Sequence, residues 1–181
     1  VLNGSKIFIT NAGAADVFFV LAMTDKSLGT KGISAFIVEK GFKGFSIGKH
    51  EEKMGIRASS TCELVFEDCI VPKENLVGEL GKGFKYAMMT LDGGRVGIAA
   101  QALGIAEGAI EETVKYVQER KQFGRRLSQF QNTQFELAQM QANTEAAKLL
   151  VYQAACAKDD HENFSHKAAM AKLVASRNAS D

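Results

Sequence analysis

The sequence is poor in the residues that define several common protein classes. It contains no tryptophan, one proline and three cysteines among 181 residues. An odd number of cysteines does not form a complete disulfide framework, and the spacing of Cys62, Cys69 and Cys156 does not match a zinc site. A single proline agrees with long uninterrupted helices. We therefore expect neither a disulfide-stapled domain nor a cysteine-based metal centre.

Charge and hydrophobicity are also without strong bias. The 22 Lys and Arg residues balance 21 Asp and Glu residues, which leaves a net charge of +1, whereas nucleic-acid-binding proteins usually carry a basic excess. No apolar run approaches the ~20 residues that cross a bilayer. The hydrophobic fraction of 46% is enough to bury a core. The composition therefore predicts a folded protein that neither binds nucleic acid nor spans a membrane.

The part of the sequence before Pro72 has the pattern of short strands. Runs rich in Val, Ile, Phe and Thr alternate with glycine and polar turn residues. The predicted strands are Ser5–Thr10, Val17–Thr24, Ile33–Glu39 and Cys62–Phe66, with a weaker candidate at Phe45–Ile47. Short strands at this spacing are typical of an antiparallel sandwich or barrel.

After a glycine-rich break at residues 81–83 the periodicity becomes helical. Two stripes of apolar residues recur at helical spacing: Met88, Leu91, Ile98, Ala102, Ile105 and Ala109, then Phe135, Ala138, Ala142, Ala146, Leu149 and Cys156. A third helix is predicted over Phe164–Ser176. Long helices with short loops indicate an antiparallel bundle. The predicted fold class is therefore α+β, with a β domain over residues 1–80 and an incomplete bundle, about three of four helices, over residues 81–181.

Familiar catalytic motifs are missing from both halves. There is no Gly-Xaa-Gly-Xaa-Xaa-Gly loop between a strand and a helix, which argues against a Rossmann nucleotide site. No nucleophile–base pair, phosphate loop or metal cluster stands out. The residue pattern by itself predicts two modules and no reaction.

Four separated segments carry a resemblance to a known family. They are Leu2–Asn11, Met54–Thr61 with the following Val65–Pro72, Gly83–Gly104, and Glu119–Gly124 with Gln131. In this order and spacing the chain resembles the acyl-CoA dehydrogenase family, most closely its short-chain (butyryl-type) members. The resemblance covers essentially the whole chain. It implies a fragment that holds the middle β domain and most of the C-terminal helical domain, which agrees with ends that do not look like natural termini.

The resemblance implies an oxidoreductase. The family oxidises an acyl-CoA thioester to the trans-2-enoyl-CoA: a carboxylate takes the α proton, the β hydrogen passes as hydride to FAD, and an electron-transfer flavoprotein accepts the electrons. It further implies fatty acid metabolism, a homo-oligomer (usually a tetramer), and a prokaryotic cytoplasm or an organelle matrix. Two alternatives stay open: an acyl-CoA oxidase or other flavoprotein on the same scaffold, and a non-catalytic relative.

The first cofactor candidates are Phe8, Ile9 and Thr10, which end the first predicted strand. In the family this segment lies against the flavin ring, and the threonine hydroxyl reaches it; a donor there would stabilise the charge of the reduced ring. The alternative is a threonine that caps a turn. Arg57, Ser59, Ser60 and Thr61 form a polar loop before a strand. The alternatives are a border of the flavin or CoA site and an ordinary solvated turn, and the turn is the prediction.

The second group of cofactor candidates is Arg120, Phe123 and Gln131. In the family the arginine and glutamine reach the pyrophosphate and ribityl region of a neighbouring subunit's FAD, and the phenylalanine packs on the adenine side. A guanidinium suits a pyrophosphate because it donates two parallel hydrogen bonds. The alternatives are a cation that offsets a helix dipole and, for Phe123, an apolar core position.

Asp92 and Arg95 are the substrate candidates. They lie three residues apart and so share one helix face. In the family this pair lines the substrate pocket near the pantetheine arm of CoA. The alternative is a simple helix ion pair worth a few tenths of a kcal/mol.

No residue of this chain is predicted to be catalytic. Most of the family carries the glutamate base near the C-terminus, in a segment that would lie beyond Asp181. Other members carry it immediately before the arginine that matches Arg95, and here that position is Gly94, flanked by Gly93. We therefore expect the chain alone to be inactive.

Overall fold

The computed structural model describes every residue from Val1 to Asp181. The chain divides into two compact units, Val1–Met88 and Met89–Asp181. The first unit is built mainly of strands and the second of helices, so the predicted α+β class is confirmed. The domain boundary predicted between residues 80 and 81 stays a prediction; the first helix begins at Gly83.

Two three-stranded antiparallel sheets form the first unit. The strands are β1 (Leu2–Thr10), β2 (Val17–Met23), β3 (Ile33–Glu39), β4 (Phe45–His50), β5 (Thr61–Cys69) and β6 (Leu76–Val77). One sheet has the order β1-β5-β4 and the other the order β2-β3-β6, and they do not close into a barrel. All five predicted strands are present, with ends that differ by a few residues. Of the two β architectures that the sequence left open, the structure has the sandwich.

Side chains from both sheets meet in one apolar core. The Phe18 ring packs 4.9 Å from the Phe45 ring, centroid to centroid, and Phe45 packs 5.2 Å from Phe66. Val38 and Leu64 complete this layer and are almost fully buried. Each such side chain stabilises the folded state by about 1.5–3 kcal/mol relative to an exposed one. The alternating strand pattern places these residues on the inner faces.

The pairing to β5 is irregular where both neighbouring strands carry an extra residue. β1 advances from Lys6 to Ile9 while β5 advances only from Leu64 to Cys62. On the other side, β4 advances from Ile47 to His50 over the same two-residue step of β5. Both irregularities therefore lie opposite Glu63. Paired bulges of this kind bend a sheet and re-aim side chains.

A cluster of short hydrogen bonds joins the end of β1 to the loop before β5. The Asn11 amide donates to the Ser60 carbonyl at 2.7 Å, and the Ser59 hydroxyl donates to Asn11 Oδ1 at 3.0 Å. The Gly13 amide donates to Ser60 Oγ at 3.1 Å, and a Cβ on Gly13 would lie only 3.1 Å from the Ser60 Cβ. The prediction of an ordinary solvated turn is wrong for Thr61, which is buried as the first residue of β5, and Ser59 and Ser60 are half-buried and hydrogen-bonded to the end of β1. These two residues fix the end of the strand that precedes Asn11.

Three α-helices form most of the second half: α1 (Gly83–Glu119), α2 (Gln131–Asp159) and α3 (Ser165–Asn178). Neighbours in sequence run antiparallel, because Glu107 of α1 pairs with Lys148 of α2 at 3.0 Å and Asn178 of α3 donates to Thr144 of α2 at 2.9 Å. None of the three combines the length and the hydropathy of a membrane-spanning helix.

The helices pack through alanines, on a face beside the apolar stripes that the periodicity identifies. Ala99, Ala147, Ala154, Ala171 and Ala175 are fully buried and belong to one core. The larger members of the two stripes are exposed instead: Ile98, Ile105, Phe135 and Leu149 have exposed fractions of 49%, 59%, 63% and 72%. Small side chains allow close approach of the helix backbones. Of the two stripes only Ala102 joins this core, which also contains Leu103 and Val151.

This packing predicts different effects of the same substitution at two adjacent alanines. Ala147→Leu inserts a large side chain into the fully buried interface and should lower the free energy of unfolding by about 1–3 kcal/mol. Ala146→Leu is the control, because Ala146 is exposed on the same helix and should change stability by less than about 0.5 kcal/mol. Urea unfolding followed by circular dichroism measures both. Equal losses would contradict the packing of α2 through Ala147.

The hydrogen bonds at the end of β1 predict a second effect. Ser59→Ala removes the bond to Asn11 and should loosen the loop, so tryptic cleavage after Lys53 or Arg57 should accelerate about 2- to 10-fold, as expected for one hydrogen bond. Ser46→Ala is the control, because Ser46 is exposed on β4 and lies outside this loop. Mass spectrometry of timed digests measures the rates. Unchanged cleavage would mean that the serine does not hold the loop.

Candidate functional site

The end of β1 presents an aromatic ring and a hydroxyl to solvent. Phe8 occupies the bulge with a φ of 58°, and its side chain is 65% exposed. Ile9 turns back and packs on the core. Thr10 is the last residue of the strand, is exposed, and its hydroxyl has no hydrogen-bond partner within the chain. The bulge thus places an apolar surface and a free donor at one strand end.

A short hairpin follows α1 and carries the second group of candidates. Its strands are β7 (Lys121–Gln122) and β8 (Arg125–Arg126). The two turn residues, Phe123 and Gly124, have φ values of 53° and 79°, as the type I′ turn of a tight hairpin requires. Glycine adopts such a φ without strain, whereas phenylalanine does so at a cost.

The hairpin brings the predicted cofactor residues of the second unit together. Arg120 enters it and its carbonyl accepts from the Leu127 amide at 2.9 Å, so the two ends of the hairpin meet. The Phe123 ring lies edge-on to Phe130, with centroids 6.5 Å apart. Gln131 follows Phe130 as the first residue of α2. Phe123 is 92% exposed, so the alternative of an apolar core position for it is wrong.

Four cations lie in this hairpin or directly before it: Arg120, Lys121, Arg125 and Arg126. None of them forms a salt bridge. The Arg125 guanidinium lies 4.0 Å from the centre of the Phe130 ring, which holds it against the hairpin. Exposed, unneutralised guanidinium groups beside an aromatic surface suit a ligand that joins phosphates to a flat ring. Arg120 also follows the last turn of α1, so it faces the negative end of the helix dipole as well.

Asp92 is the centre of a small polar cluster on α1. Its Oδ1 accepts from Arg95 Nη1 at 2.5 Å, and its Oδ2 accepts from the hydroxyl of Ser165, the first residue of α3. The Asp92 side chain is only 15% exposed, whereas that of Arg95 is 42% exposed. The predicted ion pair is therefore present, with the cation as its accessible member.

No free carboxylate accompanies this pair. Gly93 and Gly94 follow Asp92, and no heavy atom lies within 4 Å of where a Cβ on Gly94 would stand. Both oxygens of Asp92 already accept hydrogen bonds. The position considered above for an alternative base is therefore a glycine with open space beside it.

Sequence reasoning missed two features of these sites. Ser165 lies 73 positions from Asp92, and a single serine at the start of a helix reads only as a local cap. Ser59 and Ser60 gave no signal beyond loop composition. Asn11 did signal the turn at this strand end. Asparagine tolerates the positive φ of 61° that it adopts, and Ala12 and Gly13 follow it.

Comparison with known proteins identifies the family of both units. The family model "Acyl-CoA dehydrogenase, middle domain" matches residues 1–69, and "Acyl-CoA dehydrogenase, C-terminal domain" matches residues 81–181. The short-chain-specific acyl-CoA dehydrogenase of Clostridium acetobutylicum is 63% identical over all 181 residues, which cover 48% of its length. The chain thus spans about half the length of the curated relatives that it matches.

Solved structures agree with this assignment. The butyryl-CoA dehydrogenase of Megasphaera elsdenii superposes with a TM-score of 0.93 at 60% identity, and the match covers 97% of this chain and 46% of that one. A chain from a study of the electron transferring flavoprotein of Acidaminococcus fermentans superposes with a TM-score of 0.94 at 61% identity, covering 98% of this chain and 47% of that one. The residue motifs, the two-unit fold and these likenesses lead to one conclusion: the chain belongs to the acyl-CoA dehydrogenase family.

Proposed function

We propose that this chain is the flavin- and substrate-binding part of an FAD-dependent dehydrogenase that converts a short-chain acyl-CoA to the trans-2-enoyl-CoA. The observation that carries the proposal is the 63% identity to a short-chain-specific relative along the entire chain, through both modules. Relatives of 61% and 54% identity carry the same short-chain-specific name. Because the chain spans about half of that relative, the activity belongs to a longer polypeptide.

The residues present fit FAD as the cofactor. When bound, FAD would supply the hydride acceptor for the reaction. Thr10 would donate its unpartnered hydroxyl to the ring, and the exposed Phe8 would offer an apolar surface beside it. Arg120 would bind the pyrophosphate, and Phe123 would pack on the adenine. The support for the last two roles is the unneutralised charge of the hairpin and the 92% exposure of the phenylalanine.

Arg95 and Asp92 would bind the CoA part of the substrate. Arg95 donates one hydrogen bond to Asp92, which leaves further N–H groups of its guanidinium for carbonyl or hydroxyl groups of the pantetheine arm. Asp92 would orient the guanidinium rather than remove a proton, because both of its oxygens are occupied. The α proton therefore needs a base from outside this chain, and a general base must come within hydrogen-bond reach of that proton.

The proposal includes partners. An electron-transfer flavoprotein would receive the electrons, which is supported by the relative from the electron transferring flavoprotein study. A second copy of the chain would accept the hairpin, since Phe123 is 92% exposed and its neighbouring cations form no salt bridge in their own subunit. A homotetramer satisfies this exchange. The bacterial and mitochondrial sources of the relatives favour the bacterial cytoplasm or an organelle matrix.

The proposed function predicts that the complete polypeptide is active and that the 181-residue chain alone is not. The complete polypeptide should oxidise butyryl-CoA under anaerobic conditions when an electron-transfer flavoprotein is supplied. The 181-residue chain with added FAD should not oxidise it, because it lacks a base. A dye-reduction assay measures both, with the Clostridium acetobutylicum enzyme as the positive control.

Three results would contradict this proposal. Turnover by the isolated chain would show that a base lies within it. Hydrogen peroxide as the main product of the complete polypeptide in air would identify an oxidase. Absence of any acyl-CoA oxidation by the complete, FAD-loaded polypeptide would indicate a non-catalytic relative.

The hairpin predicts an effect on cofactor retention. Arg120→Gln in the complete polypeptide removes a charged donor to the pyrophosphate and should weaken FAD binding about 10- to 100-fold. Arg120→Lys keeps the charge but loses the paired donors, so its affinity for FAD should lie between those of the wild type and Arg120→Gln. Flavin fluorescence released on dilution measures the affinity.

The control is Arg177→Gln, because Arg177 is exposed on α3 and forms no salt bridge. Equal affinities for Arg120→Gln and Arg177→Gln would remove Arg120 from the cofactor site.

A further inference from the structure

The Asp92 cluster contains a residue to which none of the comparisons gives a role. Ser165 begins α3 and donates its hydroxyl to Asp92 Oδ2, while Arg95 donates to Oδ1 of the same carboxylate. The carboxylate therefore joins two helices and holds one guanidinium. No other hydrogen bond fixes this guanidinium.

The local sequence of α1 explains why such an anchor is needed. Gly93 and Gly94 separate Asp92 from Arg95, and each glycine lowers helix stability by about 1 kcal/mol relative to alanine. An ion pair between residues three apart on such a backbone holds its geometry weakly, because an exposed pair contributes only a few tenths of a kcal/mol. A hydrogen bond from a second helix restrains the carboxylate from outside α1. The Asp92 side chain is accordingly the more buried member, at 15% exposure.

We infer that Ser165 is a positioning residue: it fixes the Asp92 carboxylate, which in turn aims the Arg95 guanidinium at the CoA part of the acyl-CoA substrate. This inference rests on the proposed function, since it needs Arg95 to contact that substrate. Ser165 itself touches no reacting atom. Its loss should therefore affect binding of the CoA part and leave the chemical step unchanged.

The test compares serine variants in the complete, FAD-loaded polypeptide. Ser165→Ala should raise KM for butyryl-CoA about 3- to 10-fold, as expected for a lost hydrogen bond to a charged group, with kcat almost unchanged. The N-acetylcysteamine thioester of butyrate lacks most of the pantetheine arm, so its kinetics should not change. Titration calorimetry with S-butyl-CoA, which has no thioester to oxidise, should show the same loss of affinity.

Matched variants separate positioning from stability. Ser165→Thr keeps the hydroxyl and should retain wild-type KM. Ser165→Val has the shape of the threonine variant without its hydroxyl, so it should behave as Ser165→Ala. This pair decides the question even where the alanine variant is poorly folded. Ser176→Ala on the same helix removes a hydroxyl that bonds only its own helix, and it should leave KM unchanged. In an Asp92→Asn background, Ser165→Ala should cause no further rise in KM, because both act through one carboxylate.

The outcomes also separate this inference from the proposed function. Wild-type KM in Ser165→Val, together with a raised KM in Arg95→Gln, would overturn the inference and leave the proposed function intact. An unchanged KM in Arg95→Gln would remove Arg95 from the substrate site, and the proposed function of this cluster would fail with it. Equal losses on butyryl-CoA and on the truncated thioester would mean that Ser165 acts on general stability.

Discussion

Backbone pairing to the central strand β5 constrains the first unit more than any other interaction. β1 and β4 each fit an extra residue against the same two-residue step of β5, opposite Glu63. In a regular β1 the side chains would keep alternating, and Phe8 would lie on the same face as the half-buried Leu2 and Lys6. The bulge instead puts its side chain 65% into solvent and returns Ile9 to the core. The hydrogen bonds of Asn11 with Ser59 and Ser60 then fix the strand end at Thr10.

In the helical unit the corresponding constraint is the close approach of alanine faces. Fully buried alanines from all three helices share one core, so the backbones are held near each other. This proximity allows the start of α3 to reach Asp92 on α1. The larger apolar residues of the same helices lie outside this core, and the hairpin with Phe123 is exposed too. The unit therefore keeps its candidate binding residues accessible, while alanines, with Leu103 and Val151, form its interior.

The sequence predicted the elements well and their packing less well. All five strands, the helix-breaking glycines and the start of α3 follow from local composition, because turn residues and β-branched runs act within a few positions. The stripes that contain Ile98, Ile105 and Leu149 have the right period, yet these three large residues are exposed and only Ala102 of the stripes is in the core. Periodicity identifies an apolar face, whereas burial depends on which face allows a neighbouring helix to approach. The motif residues were found by resemblance, and their roles stay predictions.

The sequence alone determined the order of a β module and a helical module, the family, and the absence of a base at Gly94. These are properties of residue identity and of short-range pattern. Tertiary structure decided the sandwich, the exposure of Phe8 and Phe123, and the bond between Ser165 and Asp92 across 73 positions. A contact between residues so far apart in sequence does not show in the periodicity of the chain. It exists only because the alanine-lined helices pack closely enough for one hydroxyl to reach one carboxylate.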